Sequence, residues 1–171
     1  PTKSSAASDV YKRQGNTLVL FNYVERHGMP LFELINNKVG EDRLVFLVHG
    51  GVDTEDREKA RRIAETTHDS IIVASYGTFS TGINIRNLHN VVFASPSKSK
   101  IRNLQSIGRV LRKGDHKTKA VLYDIADDIS KGSQRNYTLN HLVERVKIYN
   151  EENFNYEFID VRIRSVSYTH L

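Results

Sequence analysis

Cysteine is absent from this chain of 171 residues. Disulfides and thiolate metal sites are therefore excluded, and nothing points to an oxidising compartment. No apolar run approaches the length of a bilayer-crossing helix, and no signal-peptide pattern is read at the start. A G-x-x-x-x-G-K-[ST] phosphate loop is missing, and so is a convincing D-E-x-H after a strand. The chain thus carries no main cradle for nucleotide phosphates and their magnesium. The seven histidines (His27, His49, His68, His89, His116, His141 and His170) never form a close ligand pair, so no metal site is expected. Neither a Ser-His-Asp arrangement nor a nucleophile elbow is present.

What is there fits one ordinary domain with a core, and is too short for two large ones. Hydrophobic residues make up 39% and charged residues 26%, a globular rather than a disordered profile. The net charge of +5 suits a polyanionic partner without specifying one. Its distribution says more. Lys98, Lys100 and Arg102 precede a pair of arginines, and Lys113, His116, Lys117 and Lys119 follow it. Residues 1–14 are small and polar without a sustained period, and 165–171 stop without a cap or core pattern. Both are expected to be non-native tails around a domain spanning 15–164.

Within that domain, near-continuous apolar runs at 18–24, 44–48, 71–75, 91–94 and 120–125 read as short parallel strands covered on both faces. Helices fit between most of them. Pro30 sits in the first turn of one running to about residue 38, with Gly40 beyond its end. Asp53 can cap another through about 65, with Glu55 and Asp56 at its positive end. A third spans about 100–112, stopped by Gly114. A fourth runs from about 138 to 151 with Leu139, Leu142, Val143 and Val146 as its buried stripe, and 154–163 reads as a last strand. Alternating strands and helices imply an α/β fold, a doubly wound, mainly parallel sheet with helices on both faces.

Ligands in such a sheet collect at the carboxyl ends of its strands. There the sequence places His49-Gly50-Gly51, whose glycines let the backbone turn sharply and aim N–H groups at an anion such as a nucleic-acid phosphate. A plain strand-to-helix turn explains them equally well. The stretch 75–84 (SYGTFSTGIN) is dense in hydroxyls and glycines, which can hold phosphates without reading bases. An ordinary polar loop is the alternative. Asp124, Asp127 and Asp128 can hold a cation, although a polar turn is the safer reading. The most informative segment is 105–114 (QSIGRVLRKG). At helical spacing Gln105, Arg109 and Arg112 form one polar stripe, and Leu104, Ile107, Val110 and Leu111 an apolar one opposite. Two guanidiniums on one rigid face, with Gly108 allowing close approach, suit a polyphosphate. Two arginines alone would equally make a solvated basic face.

The Q-x-x-G-R-x-x-R spacing of Gln105, Gly108, Arg109 and Arg112 resembles motif VI of superfamily-two helicases. The S-T-G-I-N at 80–84 resembles motif V and precedes the arginine helix by one strand, as the family order demands. Residues 19–28 (VLFNYVERHG) resemble motif IV. The resemblance runs over 15–164 and is most specific to the DNA and RNA–DNA remodelling helicases of T-even-type bacteriophages. It implies a RecA-like second (C-terminal) lobe that shares ATP with an N-terminal RecA-like lobe. That other lobe would carry the phosphate loop and hold most of the magnesium.

By the same resemblance Arg112 is the arginine finger, Arg109 a second phosphate contact, and Gln105 a residue that positions the attacking water or links the nucleotide to motif V. Gly82, Asn84 and Gly108 approach the nucleotide, while Ser75, Thr78 and Thr81 meet nucleic-acid backbone. The family often has an acidic residue where Asn84 stands. The implied whole is a monomeric ATP-dependent helicase of the infected bacterial cytoplasm, with no membrane partner. It would act on branched DNA, R-loops and RNA–DNA hybrids in repair, recombination and replication. This stretch alone would not hydrolyse ATP. The alternative is a non-catalytic nucleic-acid-binding module of RecA-like fold.

Overall fold

Buried apolar runs must satisfy their backbone groups within a sheet, and five of them here pair side by side, all parallel. The computed structural model describes residues 15–80, 85, 87–95, 120–127 and 136–161. Strand β1 (Thr17–Phe21) is followed by a π-helical turn (Val24–Gly28) and helix α1 (Met29–Val39). Next come β2 (Leu44–Val48), α2 (Thr54–Thr66), β3 (Ser70–Ser75) and the short α3 (Tyr76–Ser80). Strand β4 (Asn90–Phe93), β5 (Val121–Asp124) and α4 (Tyr137–Glu151) complete the order. The sheet runs β2-β3-β1-β4-β5.

Alternation along each strand sorts the core into two halves. Leu18, Leu20, Ile72, Ala74, Val91 and Phe93 face α2, α3 and α4, whose Ala60, Ala64, Phe79 and Tyr149 cover them. Val19, Phe21, Ile71, Val73 and Val92 face the other way, against Leu31, Phe32, Ile35 and Val39 of α1. The three inner strands are buried on both faces, whereas the outer strands β2 and β5 are part-exposed. The doubly wound α/β architecture expected from the sequence is the one observed.

Several local expectations need correction. The first strand stops at Phe21 rather than Val24. Asn22 turns its amide and side chain across to Ser95, and the chain then tightens so that the N–H groups of His27 and Gly28 both donate to the Tyr23 carbonyl (2.9 and 3.0 Å). Asp53 does stand at the N-cap of α2, but its side chain makes no capping bond. In α4 the buried face is rotated from the expected stripe: Val143 is 52% exposed, while Arg145 and Tyr149 are buried. An ion pair to Asp124 neutralises Arg145 and lets it occupy the inner face. Residues 154–161 form no strand among the described residues. Their rings hold them instead, Tyr149 lying against Phe154 and Tyr156 (centroids 6.2 Å each), and Tyr156 against Phe158 (5.5 Å).

The π-helical turn depends on Gly28 for space and not for backbone freedom, since its φ is −65°. A Cβ there would intrude on the Phe21 ring, against Cζ, Cε1 and Cε2. Phe21 is fully buried and has nowhere to retreat. Gly28→Ala is therefore expected to lower stability by about 2 kcal/mol, as overpacking of a filled core does. Thermal unfolding measures it, and an unchanged midpoint would show that the ring moves aside freely.

Candidate functional site

The carboxyl ends of the strands lie level with one another. Register sets Phe21 beside Ser75, Leu20 beside Phe93, Phe93 beside Asp124, and Val48 beside Ala74. The connections then diverge. The chain leaving β1 runs toward β2 on one side, and the chain leaving β4 runs toward β5 on the other, so the β1/β4 junction is the topological switch point. Crevices of this kind are where open α/β sheets hold ligands. Asn22 spans the junction. Its backbone N–H donates to Ser95 Oγ (2.8 Å) and its Nδ2 to the Ser95 carbonyl, tying the segment that resembles motif IV to the chain leaving β4.

One strand over, β3 runs straight into α3. A helix start leaves N–H groups without partners, and a hydroxyl just before it can accept from one. Ser75 does this, its Oγ accepting from the Thr78 N–H (3.3 Å) and sharing a hydrogen bond with Thr78 Oγ1 (2.8 Å). Thr78 is 5% exposed, its hydroxyl turned toward Ser75, while Gly77 between them is exposed with open space above its Cα. At the end of β2, His49 Nδ1 accepts from the Gly51 N–H (3.1 Å), and the His49 carbonyl accepts from Val52 (3.0 Å). The Gly51 amide is thus engaged within the turn. A side chain at Gly51 would crowd the His49 ring, whereas Gly50 has free space.

The far edge carries a cluster of which the sequence singled out Asp124 but not its partners, while Asp128 lies outside the described residues. Asp124 ends β5, and its Oδ2 accepts from Arg145 Nε (2.7 Å) and from the Tyr149 hydroxyl (2.8 Å). Burial first, and then the Asp124 carboxylate, push the hydroxyls of Tyr76 and Tyr149 well above the usual phenol range. Both stay protonated at neutral pH. Asp124 is therefore committed to an ion pair, and the Asp127 carbonyl accepts from Asn136 and Thr138. Among the described residues no group of three or more His, Asp or Glu is placed to hold a metal. The one signal in the sequence was an arginine among the apolar positions of α4.

Of the residues singled out from the sequence, the structure places His49, Gly50, Gly51, Ser75 and Thr78 at the carboxyl ends of neighbouring strands β2 and β3. Thr81, Gly82, Asn84, Gln105, Gly108, Arg109 and Arg112, and the helix expected over 100–112, lie outside the described residues.

Comparison with known proteins follows the same geometry. Residues 2–114 match the family described as "Helicase conserved C-terminal domain". The chain is 43% identical over 155 residues to the ATP-dependent DNA helicase uvsW of Enterobacteria phage T4, covering 85% of this chain and 30% of that relative. It therefore spans less than a third of the relative's length. Among solved structures it resembles Mss116p DEAD-box helicase domain 2 bound to an RNA duplex, with a TM-score of 0.58 at 15% identity over 83% of this chain and 63% of that one. It also resembles the C-terminal part of the Fun30 ATPase domain, with a TM-score of 0.51 at 17% identity over 85% and 50% of the two chains. These two likenesses establish the fold, that of a RecA-like helicase second domain. By its match over residues 2–114 and its kinship to the phage enzyme, this chain belongs to the helicase conserved C-terminal domain family.

Proposed function

We propose that this chain is the second motor lobe of an ATP-dependent superfamily-two helicase, one that moves along DNA and remodels branched DNA, R-loops and RNA–DNA hybrids. The observation that carries the reading is the order along the chain of the segments resembling motifs IV, V and VI, in a chain whose described strands form one parallel sheet. The first begins within β1, which borders the switch point, and the second follows in sequence after β3 and α3. The 43%-identical phage relative is an ATP-dependent DNA helicase, which supports the same activity class.

In this reading ATP binds between two lobes, and each supplies part of the site. The missing phosphate loop belongs to the N-terminal lobe, which would also hold the magnesium. This lobe would bring Arg112 as the finger on the γ-phosphate, Arg109 as a second phosphate contact, and Gln105 to position water or connect the nucleotide to motif V. Gly82, Asn84 and Gly108 would border the nucleotide. Ser75, Thr78, Thr81 and the His49-Gly50-Gly51 turn would border the nucleic-acid backbone, with Asn22 and Ser95 holding the adjoining segments in register. Because ATP touches both lobes, its binding draws them together and hydrolysis releases them, which is a stroke. The protein would serve DNA repair, recombination and replication as a monomer in the host cytoplasm.

The test joins this chain to its N-terminal lobe and measures ATP turnover with and without branched DNA. The two-lobe protein is expected to show DNA-stimulated turnover, and this stretch alone none. Binding to nucleic acid should be indifferent to sequence and fall steeply with salt, because it rests on phosphate contacts. Turnover by the single lobe, or a strong preference for one sequence, would contradict the reading.

A further inference from the structure

Arg145 lies at 2% exposure behind the carboxyl end of β5, and its guanidinium is only partly used. Nε bonds Asp124 Oδ2, yet both Nη atoms and Asp124 Oδ1 are buried without a hydrogen-bond partner. A buried ion pair repays its desolvation only when its remaining donors and acceptors are satisfied. Judged as a stability device, an apolar pair of similar volume would serve at least as well. Buried polar groups left unsatisfied in this way call for another explanation.

The surroundings supply one. Tyr149, which donates to the same Asp124 oxygen, shares a core cluster with Tyr76, the first residue of α3. Tyr76 lies against Phe93 (ring centroids 5.9 Å), and Phe93 is the register neighbour of Asp124. Tyr76 therefore stands between this cluster and the start of α3, which carries Thr78. The charges of Asp124 and Arg145 both act on its hydroxyl.

We propose that Arg145 is a positioning residue: through Asp124 and Tyr149 it anchors α4 beneath Tyr76 and so sets the geometry of α3, where the nucleic-acid-facing segment begins. The inference rests on the proposed helicase reading for its consequence, though not for its geometry.

The experiment uses the full-length protein. Replacing both partners, Arg145→Met with Asp124→Leu, removes the buried charges together and should leave the melting temperature close to that of the parent. The DNA concentration for half-maximal ATP turnover should nonetheless rise roughly tenfold, with turnover at saturation changed far less, the size of effect that residues outside a site exert on coupling. Amide exchange at Tyr76–Phe79 should quicken while α2 is unaffected. Tyr149→Phe, which removes one donor and little volume, should move both readouts in the same direction and less. If the double variant keeps its melting temperature with parental half-saturation and parental exchange at Tyr76–Phe79, the cluster is mere packing and the proposal is overturned. If the double variant does not fold, Tyr149→Phe decides, and no shift in exchange overturns it. Should the parent protein show no DNA-stimulated turnover, the helicase reading fails, and the exchange measurement still judges the positioning role.

Discussion

Replacing Arg112 by alanine in the two-lobe protein is expected to cut DNA-stimulated ATP turnover by about 10³–10⁵, the usual loss when an arginine finger is removed from an NTPase. In the proposed role, the reason is the timing of the charge that Arg112 would meet. Negative charge moves onto the leaving and equatorial oxygens only as the phosphoryl bond breaks, so a donor aimed there stabilises the transition state more than bound ATP. Half-saturating ATP should therefore change little beside turnover, and DNA affinity less still. Arg112→Lys should restore little, because a point charge cannot reproduce the planar fork. Val110, two residues away, belongs to the opposite stripe of the same expected helix. Val110→Ala should cost a kcal/mol or two of stability, roughly what truncating a core side chain costs, and leave specific activity near normal. If Arg112→Ala unfolds the protein while Val110→Ala abolishes turnover, the two stripes have been assigned backwards.

The fold was legible because its strongest signal is physical. A strand covered on both faces of a parallel sheet has no polar side to show, so β1, β3 and β4 surface in the sequence as unbroken apolar runs. What was not legible are the places where a long-range partner overrides local pattern. Tyr23 and Val24 extend the apolar run of β1, yet Asn22 ends the strand by bonding to Ser95, 73 residues away in sequence. Phe154, Tyr156 and Phe158 alternate as a strand would, but among the described residues they make ring-on-ring contacts and no backbone ladder. Arg145 reads as a polar position on α4, and only Asp124, 21 residues earlier, makes its burial tolerable. The site divides in the same way. Spacing and family order pointed to the glycines and hydroxyls that stand at the carboxyl edge, and to two arginines outside the described residues. Neither could reveal that Ser75 spends its oxygen on Thr78 or that His49 occupies the Gly51 amide, since both depend on turn geometry.

Asn16→Ala is expected to be the most damaging change at the opposite, amino-terminal edge of the sheet, lowering stability by about 3–5 kcal/mol, the scale for breaking a buried hydrogen-bond network. Asn16 is 1% exposed, and its amide is used at both ends. Nδ2 donates to the carbonyls of Ala64 (2.6 Å) and Thr67 (2.8 Å), and Oδ1 accepts from the backbone N–H (2.9 Å) and hydroxyl (2.9 Å) of Ser70. The two carbonyls lie at the end of α2, where the last turn has no helical donors to offer. One side chain thus closes α2, starts β3 and fastens both to β1. Alanine leaves two acceptors and two donors buried or half-buried without it. Asn16→Asp tests the same account by sign. It keeps the shape and both Ser70 bonds but turns a carboxylate toward two carbonyl oxygens, so its folded-state pKa must rise above the unfolded value. The resulting penalty is full above the folded pKa and fades as the pH falls toward the unfolded carboxyl range, near 3.9. Relative to the parent, Asn16→Asp should therefore regain stability on mild acidification, measured by denaturant unfolding across that range, whereas Asn16→Ala should not. An Asn16→Asp variant that loses further stability, relative to the parent, as the pH falls would mean that its carboxylate finds donors there, and that the two carbonyls are satisfied by some other group.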